Sequence, residues 1–206
     1  MENVRPEDIQ VMVADASHEA YVDTILETIR VAARKRGTGI AERTHDYVAT
    51  KMRESKAVVA LHAGRFAGFS YIETWENKHF VTTSGLIFHP DYQGMGIAKR
   101  IKDYTFAMAR LRWPHAKIFS LTSGDAVMKM NTALGYVPVS FNQLTGDDAF
   151  WHGCEGCTNH DLLLAKQRKF CVCSGMLWDP DAHKGEPISI EIIKEVMRTL
   201  VLRGIE

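Results

Sequence analysis

The sequence has no long apolar run, no excess of charge of either sign and few cysteines. None of its hydrophobic runs is long enough to span a bilayer, and residues 1–8 lack the basic and apolar regions of a secretory signal. The 25 Lys and Arg residues balance 25 Asp and Glu residues, so no overall field attracts nucleic acid or an anionic membrane. We therefore expect a soluble, cytoplasmic protein whose partners include neither nucleic acid nor a membrane.

The chain has 206 residues, of which 46% are hydrophobic, enough for one full core. Alternating and helical hydrophobic patterns up to residue 141 predict the order β-α-α-β-β-β-α-β-α-β. This order favours an α/β protein with a mixed sheet over a doubly wound parallel one. Residues 142–206 are turn-rich, contain all four cysteines and end in an amphipathic helix. That helix packs either on its own domain or on a second subunit, so a homodimer is one interpretation.

A glycine-containing run joins a predicted strand to a predicted helix between Ser84 and Lys102. The strand stops at residues 89–91, and Gly94 and Gly96 then precede a helical pattern. Glycines at such a junction allow a sharp turn and leave N–H groups unpaired at the helix start, where the helix dipole also favours an anion. Lys99 and Arg100 are unfavourable for the dipole in the first helical turn, so we expect them to face an anion. The run therefore predicts a phosphate site.

The run is neither a Walker motif nor the three-glycine dinucleotide fingerprint. Its residues 93–98, Gln-Gly-Met-Gly-Ile-Ala, resemble the Gln/Arg-x-x-Gly-x-Gly/Ala signature of the GNAT N-acetyltransferase superfamily, and Leu134–Tyr136 resembles the family's helix-to-strand ending. The resemblance covers about residues 10–141. It implies the GNAT acyl-CoA N-acyltransferase fold for residues 1–141, with residues 142–206 as a Cys-rich C-terminal extension packed on the same domain.

The resemblance also implies acetyl-CoA as co-substrate. In the family the glycine loop grips the pyrophosphate, and backbone N–H groups near a bulge in the preceding strand bind the acyl carbonyl. Many members place a tyrosine for the departing thiolate where this chain has Asn131. The thiolate would then be hydrogen-bonded by Asn131, protonated by water or served by Tyr136. The predicted coenzyme-binding residues are Leu86, Ile87, Phe88, Gln93, Gly94, Met95, Gly96, Ile97, Ala98, Lys99 and Asn131.

Acyl transfer to an amine also requires a group that removes a proton from the ammonium form. Glu73 and Trp75 alternate on one face of a predicted strand, and an aromatic wall would raise the pKa of the carboxylate. Ser84 and Thr83 are further candidates, whereas His79 lies at a hairpin turn and fits a surface histidine. We predict Glu73, Ser84 and Asn131 as catalytic residues, with an exposed edge-strand glutamate as the alternative for Glu73.

Basic residues cluster around the loop at residues 37–39. Arginine binds carboxylates with two parallel hydrogen bonds, so the cluster is consistent with an acceptor that contains a carboxylate. The alternative is a solvated helix end whose basic residues offset the dipole. The predicted substrate-binding residues are Arg36, Arg43, Glu73 and Trp75.

The four cysteines form Cys154-x-x-Cys157 and Cys171-x-Cys173. This spacing permits a structural zinc site, and reduced cysteines packed in an accessory layer are the alternative. Disulfides are disfavoured in a cytoplasmic chain.

Together these features predict an N-acetyltransferase that moves an acetyl or other short acyl group from acyl-CoA to the primary amine of a small molecule, with an amino acid such as glutamate as one candidate acceptor. The alternatives are a non-catalytic acyl-CoA-binding sensor and a zinc-dependent interaction module.

Overall fold

A computed structural model describes residues 4–36, 41–202 and 204. The strands are β1 (Ile9–Val13), β2 (Ala57–His62), β3 (Arg65–Trp75), β4 (Phe80–Phe88), β5 (Lys117–Thr122), β6 (Val137–Val139) and β7 (Ser174–Trp178). The α-helices are α1 (Val22–Arg36), α2 (His45–Arg53), α3 (Ile97–Arg112), α4 (Asp125–Ala133), α5 (Asp148–His152), α6 (His160–Ala165) and α7 (Ile190–Leu202). Of the described helices, none is both long and apolar enough to cross a membrane.

The described strands form one mixed sheet in the order β1-β2-β3-β4-β5-β7-β6. Strands β1 to β4 pair antiparallel, β5 runs parallel to β4, and β7 is antiparallel to both β5 and β6. The predicted mixed sheet and the predicted element order up to residue 141 are confirmed. Strand β7 comes from the segment after residue 141, yet it lies between β5 and β6. That segment therefore completes the same sheet.

Helices cover both faces of the sheet. Helix α3 buries Ile97, Ile101 and Met108 on one face, in the helical spacing that the sequence predicted, and α7 packs beside it through Val196 and Leu200. Helices α1 and α2 cover the opposite face in a second apolar cluster, which also contains Phe69 and Tyr71 of β3 and Ile87 of β4. The two clusters place α3 and α2 on opposite sides of β3 and β4.

A third apolar cluster lies over β5 and β7, on the side away from α3. Two neighbouring residues of β5 show that the first and third clusters lie on opposite faces of the sheet. Ile118 packs in the cluster of α3, whereas Phe119 packs with Trp151 of α5 and Leu163 of α6. The Phe119 ring also meets the Phe150 ring edge to face, with 5.0 Å between centroids. The segment after residue 141 thus adds an aromatic wall beside the first residues of β4, where Phe80 packs against Phe119.

Candidate functional site

The glycine run has the backbone geometry of an open loop at a helix start. Gly94 has φ +83° and Gly96, the N-cap of α3, has φ +70°, both in the left-handed region that favours glycine. A Cβ atom at either position would meet nothing within 4 Å. The space in front of the first N–H groups of α3 is therefore open, which fits the phosphate oxygens that the sequence predicted.

Strand β4 is distorted where the sequence placed the acyl carbonyl donors. Tyr71 pairs with Ser84 and Phe69 with Ile87, so β4 has one extra residue, a bulge at Gly85 and Leu86. The pairing of β4 with β5 covers Phe80 to Thr82 and, within the described strands, goes no further. Strands β4 and β5 therefore separate beyond Thr82.

A cavity of about 520 Å³ opens where the two strands separate. Its lining contains Thr82 to Ile87 of β4, Ser120 to Thr122 of β5 and Val127 of α4. It also contains Tyr71, which belongs to the cluster under α1 and α2, and Lys102, which α3 contributes from the opposite face. The cavity thus runs through the sheet between β4 and β5, and its volume is typical of a small-molecule site.

The cavity brings together some of the predicted site residues and leaves others outside. The lining includes Arg43, Trp75, Ser84, Leu86, Ile87, Cys154, Cys157, Cys171 and Cys173. It does not include Glu73, Phe88, Asn131 or the glycine run from Gln93 to Lys99. The side chain of Arg36 and residues 37–39 lie outside the described residues.

Arg43 presents a cation to the α2 side of the cavity. Its Nε donates to the Tyr71 hydroxyl at 2.8 Å and its Nη1 donates to the Glu42 carbonyl at 2.9 Å. The guanidinium also lies over the Tyr47 ring, 5.9 Å from the centroid. Within the described part of the chain, Arg43 forms no ion pair with a carboxylate. Neutral partners therefore orient its charge without neutralising it.

Glu73 has a different environment from the one that the sequence predicted. Its carboxylate pairs with Lys51 and, at 3.1 Å, with Lys56, and it is largely buried between them. Two ammonium groups stabilise the charged form, whereas a general base needs a raised pKa. With Glu73 outside the cavity lining as well, this arrangement disfavours a general base and favours a structural ion-pair network.

Replacing Glu73 with glutamine should lower the free energy of unfolding by about 3 kcal/mol, because Lys51 would remain buried without its carboxylate partner, whereas Lys56 would keep its ion pair with Glu54. Urea titration followed by fluorescence measures the change. Glu27→Gln, which removes an exposed ion pair with Arg30, should barely change the stability and serves as control. An unchanged unfolding free energy in Glu73→Gln together with a lost kcat would instead favour the general-base role.

Two basic side chains of the first turn of α3 have partners within the protein. Lys99 pairs with Asp103 at 2.6 Å, and Arg100 donates to the carbonyls of Pro6 and Ile9 at 2.8 and 2.9 Å. Arg100 thus fastens the N-terminal segment to α3. The prediction that Arg100 faces an anion is wrong, because its guanidinium is turned to these carbonyls.

Asn131 is fully buried beneath the sheet, away from the cavity. Its Nδ2 donates to the Met176 sulfur at 3.5 Å, and its Oδ1 has no hydrogen-bond partner among the described residues. Tyr136 is also buried, and its hydroxyl approaches Thr83 without a hydrogen bond of good geometry. Burial raises the pKa of Tyr136 well above its usual value. The arrangement therefore does not favour contact of Asn131 with a departing thiolate.

The four cysteines are free thiols on the wall of the cavity. Burial raises the pKa of Cys154 to about 11 and that of Cys173 to about 12. The neighbouring cysteines contribute to both shifts, because a thiolate is disfavoured beside other thiolates. Among the described residues, no group of three or more His, Cys, Asp or Glu side chains is placed to hold a metal ion. The zinc prediction is therefore not supported, and Cys154, Cys171 and Cys173 pack against the aromatic cluster.

Tyr71, Phe150 and Lys102 line the cavity and were not among the predicted site residues. Tyr71 and Phe150 enter the cavity through tertiary contacts that leave no local pattern. Lys102 had a detectable signal, because it shares a helical stripe with the small or aromatic residues Ala98, Phe106 and Ala109. A lysine in a stripe that otherwise becomes buried indicates a special environment.

No protein-family model matches the chain, and no curated protein matches it. The chain does match solved structures. N-acetylglutamate synthase from Neisseria gonorrhoeae, complexed with coenzyme A and N-acetyl-glutamate, superposes with a TM-score of 0.60 at 15% identity, covering 83% of this chain and 35% of the synthase. This chain therefore spans about a third of the synthase's length.

Two other structures match over most of both chains. Rv2747 from Mycobacterium tuberculosis, in complex with CoA and NLQ, has a TM-score of 0.59 at 19% identity and covers 82% of this chain and 98% of its own. A GNAT superfamily phosphinothricin acetyltransferase from Sinorhizobium meliloti, in complex with AcCoA, has a TM-score of 0.56 at 16% identity, with coverages of 84% and 88%. The chain therefore has the GNAT acyl-CoA N-acyltransferase fold.

Proposed function

We propose that the protein is a GNAT N-acetyltransferase that transfers an acetyl or other short acyl group from acyl-CoA to the primary amine of a small molecule with a carboxylate. The observation that best supports this is a cavity lined by residues of both faces of the sheet, where β4 and β5 separate. A thioester held on α3 and an amine held near α2 meet inside such a cavity.

The thioester side consists of the glycine run and β4. Gly94 and Gly96 leave room for the diphosphate at the N-terminus of α3, where the dipole and free N–H groups favour an anion. The bulge at Gly85 and Leu86 lies beside the cavity and provides main-chain groups for the acyl carbonyl. This proposal keeps Leu86, Ile87 and the glycine run as coenzyme-binding residues.

The acceptor side consists of Arg43 and an aromatic wall. The guanidinium of Arg43, which Tyr71 orients, is a ligand for a carboxylate. Trp75 and Phe150 meet edge to face at 5.4 Å and line the same cavity, so they bound the space for a side chain. An α-amino acid suits this arrangement, because its carboxylate can bind Arg43 while its amine, close to the carboxylate, lies inside the cavity. Glutamate is one candidate, and the synthase and Rv2747 structures contain N-acetyl-glutamate and NLQ respectively.

The candidates for the group that takes the proton from the amine are the titratable residues of the cavity lining. Glu42, Glu155, His152 and His160 all line the cavity. His152 and Glu155 lie on the α5 side with 4.0 Å between Nε2 and Oε1. Ser84, predicted as catalytic, also lines the cavity, and its carbonyl accepts a hydrogen bond from Ser70 at 2.9 Å.

A thiol-release screen tests this function. Purified protein is incubated with acetyl-CoA or succinyl-CoA and a panel of amino acids, polyamines, aminoglycosides and peptides, and free coenzyme A is measured with a thiol reagent. We expect release above background with amino acids, most strongly with acidic ones, and N-acyl products by mass spectrometry. Tight coenzyme A binding without turnover across the panel would instead identify a non-catalytic acyl-CoA sensor.

A further inference from the structure

Lys102 is a buried cation at the point where the cavity meets α3. It is 2% exposed, lines the cavity, and donates from Nζ to the Thr83 hydroxyl at 2.7 Å. Its ammonium also lies over the Tyr136 ring, 4.9 Å from the centroid. Within the described residues no carboxylate forms an ion pair with it. Burying a lysine without such a partner lowers the stability of the folded protein, and its presence therefore indicates a functional role.

The position of Lys102 relates it to the thioester rather than to the acceptor. Thr83 faces the α3 side of β4, as Val81 does, because alternate residues of a strand share a face. Lys102 follows Gly96 by six residues, which is about 9 Å along the axis of α3. Arg43 and Tyr71 lie at the opposite side of the sheet. Lys102 therefore sits between the phosphate loop and the gap through which the acyl group would reach the acceptor.

We propose that Lys102 is the proton donor and the charge partner for the departing coenzyme A thiolate. The inference rests on the proposed acyl transfer. Lys102 lines the cavity, whereas Asn131 and Tyr136, the residues that the sequence suggested for the thiolate, do not.

The proton balance is simple. As the acceptor nitrogen bonds to the acyl carbon, the carbon–sulfur bond breaks and its electron pair stays on sulfur. Lys102 gives a proton from Nζ to that sulfur, directly or through the Thr83 hydroxyl. The acceptor ammonium loses two protons, one before the attack and one as the amide forms, to a titratable group of the lining and from there to solvent. The neutral Lys102 regains one proton from solvent, so each turnover releases one proton.

The surroundings of Lys102 suit a group that gains and loses a proton near neutral pH. Burial lowers the pKa of Lys102 to about 7, and the charge of Asp103 on the same helix opposes that effect. Asp103 itself pairs with Lys99. The other neighbours of Nζ, Thr83 and Tyr136, are uncharged, since burial raises the pKa of Tyr136. General acids work best when their pKa is close to the working pH.

The decisive experiment measures the thiol pKa of bound coenzyme A by the ultraviolet absorbance of its thiolate as pH is varied. A thiolate and a neighbouring ammonium stabilise each other, so the thiolate helps Lys102 to keep its proton, and the bound thiol pKa should be lower in the wild type than in Lys102→Met by about 1 unit or more. Thr83→Val, which removes the partner of Nζ, should give a smaller shift in the same direction. Lys194→Met, a change at an exposed lysine of α7, should leave the pKa unchanged. Equal thiol pKa values in the wild type and Lys102→Met would overturn the proposal.

Turnover provides a second readout. Lys102→Met should reduce kcat about 100-fold and remove the fall in kcat on the alkaline side of the pH profile, since that limb reports loss of the donated proton. An unchanged profile would contradict the role. The thiol titration needs no acceptor, so it distinguishes the two hypotheses. A wild type that shifts the thiol pKa through Lys102 but acylates nothing would overturn the proposed function alone.

Discussion

Replacing Gly96 with valine should abolish coenzyme A binding, with Kd raised at least about 100-fold. The valine side chain would occupy the open space at the start of α3 that we assign to the diphosphate. Losing charge-assisted hydrogen bonds to phosphate costs about 3 kcal/mol or more. Isothermal titration with coenzyme A measures the change.

Gly185 provides a matched control for the backbone strain. It too has a left-handed backbone, φ +79°, and nothing within 4 Å of its would-be Cβ atom, but it lies in the loop before α7. Both valine variants should lose about 1–3 kcal/mol of stability, because a β-branched residue is strained there. Only Gly96→Val should lose coenzyme A. A coenzyme A affinity that survives in Gly96→Val would refute the glycine run as the diphosphate site.

Replacing Arg43 with alanine should raise KM for the acceptor about 10- to 100-fold and leave KM for acetyl-CoA unchanged. A hydrogen bond to a charged group is worth about 1.5–3 kcal/mol, and Arg43 is the cation that we assign to the acceptor carboxylate. Steady-state kinetics with each substrate varied in turn separates the two constants. Equal rises in both constants would contradict the assignment.

Three companion measurements make the Arg43 result specific. Arg43→Lys keeps a charge but loses the paired donors, so it should recover only part of the acceptor affinity. Arg30→Ala removes an exposed arginine of α1 and should leave both constants unchanged. An acceptor whose carboxylate is replaced by an amide should show the same KM with the wild type and with Arg43→Ala, since the interaction is then absent from both.

The local part of the site could be predicted because local sequence determines it. The two glycines and the helical pattern after them fix a loop with left-handed residues ahead of an amphipathic helix, and the structure has both. The alternating pattern similarly predicted β3 and β4. The bulge at Gly85 was expected near this point from the family resemblance, and the register of β3 and β4 shows it.

The interpretations that failed or lost support concern side chains whose environment depends on distant residues. Glu73 was predicted as a general base on the strand face that it shares with Trp75, but Lys51 of α2 and Lys56 before β2 pair with its carboxylate. The cysteines had a spacing compatible with a metal site, but Cys154, Cys171 and Cys173 pack against the aromatic cluster, and no group of side chains among the described residues is placed to hold a metal ion. In both cases the environment of the side chain depends on groups far away in sequence.

The sequence by itself determined the mixed sheet, the order of elements up to residue 141 and the glycine loop at the start of α3. Hydrophobic periodicity and the conformational freedom of glycine act within a few residues. The tertiary structure decided where the ionisable groups are. It inserted β7 between β5 and β6, separated β4 from β5, and brought Arg43 and Lys102 to opposite sides of one cavity. The chemistry of a buried charge is set by its solvation and its neighbours, and only the folded chain supplies those.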